Sequence, residues 1–239
     1  MLEISGLVKH YHVGDDEPIR AVDYLSLFIA PGELVALYGP SGSGKTTLLM
    51  LIAALLPPDA GKVIVNGRDL ASLSDSEQSS YRLRELGLID QTFDLLPGGT
   101  VLQNAALKLW MLENTRAAER RMRPLLERLG LGERLHHRAD QLSVGERQRV
   151  MIARALSTHP KLVLADEPTG NLDTRRGREV LELLSQACRE HGTSVLLVTH
   201  DPQATAFADR VLALRDGRLT PLQEDALVPA EHQGEVIGQ

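Results

Sequence analysis

Nine residues, GPSGSGKTT from Gly39 to Thr47, put three glycines, two serines, two threonines and one lysine between the apolar runs LVALY and LLMLIAALL. Gly39, Gly44, Lys45 and Thr46 fall at the spacing G-x-x-x-x-G-K-[ST]. The chemistry of that spacing is phosphate binding. Glycines at 39, 42 and 44 let the backbone curl, so that successive N–H groups point at one anion. A helix starting after Gly44 turns its positive end and its unpaired N–H groups toward the same point. Lys45 adds a mobile charge for the outer phosphates. Thr46 offers a hydroxyl to Mg²⁺, a hard cation that takes oxygen ligands. Ser41, Ser43 and Thr47 complete the polar lining of the loop.

A loop that holds a nucleotide and hydrolyses it needs a carboxylate for the metal and a group that activates water. LVLADEP supplies both. An apolar strand over Leu162 to Ala165 delivers Asp166 and Glu167 to the carboxyl end of a parallel sheet, where open α/β folds bind ligands. Asp166 is then the Mg²⁺ carboxylate, directly or through water, and Glu167 the general base. LLVTHD repeats the arrangement and places His200 at the same edge, within reach of a terminal phosphate and of the base.

A second anion site is expected in DQLSVGERQRVMIARAL. Leu142, Ser143 and Gly145 precede a helix, and their N–H groups and hydroxyl would face an anion at its start. One nucleotide does not need two such sites about a hundred residues apart in sequence. In a symmetric pair of chains the second site of one copy covers the nucleotide of the other, across an isologous interface. The plainer alternative is an N-capped amphipathic helix.

Positioning these residues takes an α/β scaffold. EISGLVKHY and AVDYLSLFI alternate like half-buried strands, and GELVALY is a short buried strand. Thr46 to Leu56 is expected to be helical until Pro57-Pro58 stops it. GKVIVNGRDL gives a strand and a turn at Asn66-Gly67, and a helix capped near Ser74 follows. From Phe93 to Pro160 the pattern becomes mostly helical, which marks an insertion rather than more βαβ units. Leu162 to Ala165 and Thr193 to Thr199 resume as buried strands around a helix ended by Gly192. A hairpin turning at Asp216-Gly217 closes the domain. The expectation is a P-loop NTPase core, residues 1–92 and 161–222, with an antiparallel β-subdomain and an inserted helical subdomain, residues 93–160. Residues 223–239 read as a polar tail.

Composition narrows the function. The 239 residues carry a net charge of −6, which argues against a nucleic-acid partner. The lone cysteine, Cys188, fits a reducing compartment and leaves no internal disulfide. No leader-like segment opens the sequence, and the longest strongly apolar run, Leu48 to Leu56, is far below the ~20 residues that span a bilayer. A membrane role would need another chain.

Taken in order, these pieces resemble an ATP-binding-cassette ATPase subunit over Met1 to about Leu222. The resemblance implies further roles. Tyr11 falls where an aromatic ring stacks on adenine, although a tyrosine on such a strand also serves as packing. Gln91, after LGLID, falls where a glutamine senses metal and water. LSVGE stands in the signature position, NLD puts Asp173 in the dimer-contact position, and His200 is the switch histidine. FDLLP, TVLQN and ADEPTGNLD resemble the branch of lipoprotein-release, macrolide-export and cell-division ATPases. The implied protein is a cytoplasmic Mg²⁺-dependent ATPase. It forms a homodimer or paired cassette on ATP and is held at the inner face of the cell membrane by an integral-membrane permease. Two departures stand out: Val144 replaces the first glycine of the signature, and Asp90 precedes Gln91 where an aromatic residue is usual. A chromosome or DNA-repair ATPase would carry a long heptad insertion, and a translation-associated protein two cassettes; neither is present. A scaffold that binds ATP but barely hydrolyses it stays open because of Val144.

Overall fold

The computed structural model describes residues 1–12, 17–90 and 95–220. Its order begins with β1 (Leu2–Tyr11), β2 (Ile19–Ile29), β3 (Leu34–Tyr38), α1 (Lys45–Ile52), β4 (Ala60–Val65) and β5 (Arg68–Asp69). Next come α2 (Asp75–Arg84), β6 (Leu86–Ile89), α3 (Val101–Trp110), α4 (Thr115–Arg128) and α5 (Val144–Leu156). The last part holds β7 (Leu162–Asp166), α6 (Thr174–His191), β8 (Ser194–Thr199), α7 (Pro202–Thr205), β9 (Arg210–Arg215) and β10 (Arg218–Thr220).

Two sheets result. The first is antiparallel, in the order β2-β1-β4-β5. The second runs β10-β9-β3-β8-β7-β6, parallel from β9 to β6, with β10 turned antiparallel at the edge. The central parallel strands β3, β8 and β7 are buried on both faces, and their side chains sort by alternation. Val163, Ala165, Val195 and Leu197 face the cluster formed with α3, α4, α5 and α6. Leu162, Leu164, Leu196 and Val198 face the cluster shared with α1 and the antiparallel sheet. The parallel sheet is the partition between two cores, and its carboxyl edge carries the candidate site.

Local signals explain the element ends. α2 starts in a capping box between Ser74 and Glu77, and α6 stops at Gly192 with φ 64°. The helix expected over Thr46 to Leu56 ends earlier, at Ile52, with Ala54 at φ 51°. Carbonyls at its end and just beyond find partners on α2 instead of continuing the ladder. Tyr81 donates its hydroxyl to Ile52 O at 3.0 Å, and Arg82 Nη1 donates to Ala54 O at 2.8 Å. Among the described residues no helix is long and apolar enough to cross a membrane.

Candidate functional site

The loop after β3 is shaped by close backbone approach. Gly44 caps α1 at φ 100°, and a Cβ there would lie 1.8 Å from Ala21 O on β2. A Cβ on Gly39 would lie 2.4 Å from Leu214 O on β9. Gly42 differs: its φ is 81°, but nothing lies within 4 Å of its missing Cβ, so only conformation requires glycine. Lys45 folds back over the loop, and its ammonium donates to Gly39 O at 2.7 Å and Pro40 O at 2.8 Å. Ser41 is exposed and Thr47 half-buried. Ser43 is buried, and its hydroxyl has no hydrogen-bond partner among the described atoms. The N-terminus of α1 has no side-chain cap and no acidic residue in its first turn, so its N–H groups stay open to an anion.

Across from the loop, β7 ends on Asp166. Thr46 Oγ1 donates to Asp166 Oδ2 at 2.8 Å, joining the start of α1 to the tip of the central sheet. Burial is the main influence raising the Asp166 pKa; Thr46 and Lys45 oppose it, while Glu167 and Asp90 reinforce it. Glu167 sits beside it at φ 49°, a conformation that costs a non-glycine residue about 1–2 kcal/mol. Three hydrogen bonds hold that backbone. Its N–H donates to Val198 O at 2.9 Å, and its carbonyl accepts from Gly170 N–H at 3.2 Å and from Gln148 Nε2 at 3.1 Å. The carboxylate is clamped as well. His200 Nδ1 donates to Oε1 at 2.6 Å, and Thr199 Oγ1 donates to Oε2 at 3.2 Å. Glu167 is buried, whereas the His200 ring is largely exposed. A buried, aimed carboxylate next to an exposed imidazole and an anion cradle has the parts for water activation beside a phosphate.

Lys45, Thr46, Asp166, Glu167 and His200 thus come together from positions up to 155 residues apart in sequence. Tyr11 ends β1 with about a third of its surface in solvent and Lys9 Nζ 6.0 Å from its ring centroid. The pairing His10↔Arg20 places that strand end near Ala21, hence near the loop. Ser143, Gly145 and Asp173 form no hydrogen bond or ion pair with residues 39–47 among the described residues. Gly145 does not precede its helix as expected but lies in the first turn, because Ser143 is the N-cap. Ser143 Oγ accepts from Glu146 N–H at 3.2 Å, and Glu146 Oε2 accepts from Ser143 N–H at 2.9 Å. Val144 opens the helix with 42% of its surface exposed. Asp173 caps α6, accepting from Arg176 N–H at 3.0 Å. Gln91 lies outside the described residues. The sequence reading missed Thr199 and Gln148. Pairing Asp166 with Val198 in the β7–β8 ladder signals the first, since Thr199 then falls beside Glu167. No local signal marks the second.

The geometry has clear relatives. The sequence profile described as "ABC transporter" matches residues 22–170. The lipoprotein-releasing system ATP-binding protein LolD 2 of Caulobacter vibrioides is 46% identical over 222 residues, 92% of this chain and 96% of that protein. The macrolide export ATP-binding/permease protein MacB of Rhodopirellula baltica is 44% identical over 220 residues, 91% of this chain but 32% of that longer protein. Among solved structures, a dimeric post-hydrolysis state of the ATP-binding cassette MJ0796 bound to ADP and Pi superposes with a TM-score of 0.87 at 35% identity, covering 93% of this chain and 99% of that one. On profile, relatives and cassette fold together, the chain belongs to the ABC transporter family, as an ATP-hydrolysing nucleotide-binding subunit of the branch that includes the lipoprotein-releasing and macrolide-export ATP-binding proteins.

Proposed function

We propose that this subunit binds Mg²⁺·ATP at the Gly39–Thr47 loop and hydrolyses it with Glu167 as the general base. The observation that carries the reading is the convergence of the Thr46–Asp166 hydrogen bond and the Glu167–His200 hydrogen bond at one sheet edge. The donor set fits Mg²⁺: a hydroxyl and a carboxylate are hard oxygen ligands, and among the described residues no cluster of three or more acidic, histidine or cysteine side chains forms a self-sufficient metal cage. Mg²⁺ is commonly held by one or two protein groups together with substrate phosphates. Bound there, it would neutralise charge on the outer phosphates. Lys45 leaves its loop carbonyls to meet the same oxygens. Glu167 takes a proton from the attacking water, while His200 and Thr199 keep the carboxylate aimed. Gln91 is assigned to sensing metal and water on the resemblance alone, and Tyr11 to the adenine face.

Ser143, Gly145 and Asp173 act across a two-fold interface, where each copy's α5 start closes the other's nucleotide. The dimeric MJ0796 cassette supports that arrangement. Closure and reopening drive a shape change in an integral-membrane partner, which holds the subunit on the cytoplasmic face of the membrane. The naming of one relative as an ATP-binding/permease protein supports a permease as that partner.

The test is Asp166→Asn. Nucleotide affinity of the parent should rise when Mg²⁺ replaces EDTA, and that response should be lost in the variant. An equal Mg²⁺ response in both proteins would remove Asp166 from the metal site.

A further inference from the structure

Gln148 lies on α5, the helix that precedes β7, and is 97% buried. Its Nε2 donates to the carbonyl of Glu167 at 3.1 Å. Its Oε1 is buried with no hydrogen-bond partner among the described residues. A buried amide with one half unpaired is costly, and packing alone would favour leucine or methionine of similar volume. The amide is explained by what its donor does. Glu167 holds a left-handed backbone, and its carbonyl receives two donors, Gly170 N–H and Gln148 Nε2. Without the second donor, the strained peptide following Glu167 loses its hydrogen bond to α5.

The first turn of α5 rests on this same segment. Gly145 and Gln148 are three residues apart, so they share a helix face. A Cβ on Gly145 would lie 3.2 Å from Asn171 O and 3.2 Å from Leu172 Cδ2. Arg149, the next residue, is buried within electrostatic reach of Asp173 and Glu179. Residues 145, 148 and 149 therefore seat the helix start on the run from Glu167 to Asp173. We infer that Gln148 is a positioning residue for hydrolysis, fixing the Glu167 backbone and tying it to the start of α5. The inference rests on the assignment of Glu167 as the base. In a dimer whose α5 start faces the partner's nucleotide, the same hydrogen bond makes the geometry of one site's base depend on how well the other site is closed.

Two variants test this in the full-length chain by steady-state ATPase kinetics. Gln148→Leu keeps volume and removes the donor. Gln148→Glu keeps shape but cannot donate when ionised. Both should lower kcat on the order of tenfold, the worth of about one buried hydrogen bond, with KM for ATP within about twofold of the parent. In Gln148→Glu, the ratio of kcat to the parent's should recover as pH falls from about 8 to 6, because the protonated carboxyl regains a donor. A merely structural role would not follow that protonation. In a Glu167→Gln background, Gln148→Leu should cost nothing further. A Gln148→Leu kcat within twofold of the parent, or an equal loss with and without Glu167, would overturn the inference. If the leucine variant fails to fold, a pH-independent ratio for Gln148→Glu overturns it instead. Parent-like turnover of Glu167→Gln alone would strike the assignment of the base, a separate result from any of these.

Discussion

Replacing Gly44 and Gly42 by alanine, one at a time, separates two reasons for glycine in one loop. At Gly42 the new methyl meets nothing within 4 Å, and only φ 81° resists it. That strain is about 1–2 kcal/mol, partly offset because alanine stiffens the unfolded chain. A net loss of about 1 kcal/mol lowers Tm by roughly 2–4 °C in a chain of this size. At Gly44 the conformational cost recurs at φ 100°, and the methyl would also sit 1.8 Å from Ala21 O. The two must part by well over an ångström, and Ala21 has little room to give. The turn at Gly217 presses on the same stretch of β2: a Cβ there would lie 2.6 Å from Arg20 O, and Asp23 N–H donates to Gly217 O at 2.9 Å. Overpacking of this kind adds about 1–3 kcal/mol. Gly44→Ala should therefore lose about 3 kcal/mol or more, a fall in Tm of roughly 6 °C or beyond. The assay is thermal unfolding by circular dichroism without nucleotide, so that phosphate contacts do not enter. A Gly44→Ala variant melting within 2 °C of the parent, or a Gly42→Ala variant as damaged as Gly44→Ala, would refute the steric argument.

Three further outcomes follow from single side chains. Lys45→Ala removes the ammonium that closes on Gly39 O and Pro40 O, and should weaken binding of a fluorescent ATP analogue by roughly 10–100-fold; equal binding by both proteins would end the phosphate-cradle reading. Val144 is 42% exposed, so it has little packing to lose; Val144→Gly should strengthen ATP-dependent dimerisation by light scattering in the Glu167→Gln background, and unchanged or weaker dimers with a lower Tm would make it a packing residue. Lys108 donates to Leu86 O at 2.6 Å, and burial, with Arg154 nearby, pushes its pKa down to about 8. Between pH 8 and 10.5 the unfolded chain therefore holds a proton that the folded chain has released, and stability from this group rises with pH. The Tm difference of Lys108→Met minus parent should fall from pH 7 to 9.5, and a constant difference would contradict the burial of a charged ammonium.

The loop was legible because its chemistry is local: the spacing of Gly39, Gly44, Lys45 and Thr46 alone implies a phosphate cradle, and the flanking runs imply β3 and α1. The ends of β7 and β8 were legible for a similar reason, since short apolar runs stop at Asp166 and Thr199. What the sequence withheld is tertiary. The early end of α1 depends on Tyr81 and Arg82 reaching its carbonyls from α2. The S-x-x-E pattern at Ser143 to Glu146 is a capping box, so the Ser143 hydroxyl and N–H expected to face an anion already serve the helix start. The left-handed backbone of Glu167 has no local signature, because the groups that hold it belong to β8, α5 and Gly170.

The central claim is that Glu167 activates the attacking water. Glu167→Gln keeps the side-chain shape and an acceptor oxygen for Thr199, but cannot take a proton. Steady-state phosphate release, measured at saturating ATP and Mg²⁺, should fall by ~10²-fold or more with ATP affinity retained, and the variant should accumulate as an ATP-bound dimer. Turnover close to that of the parent would contradict the account.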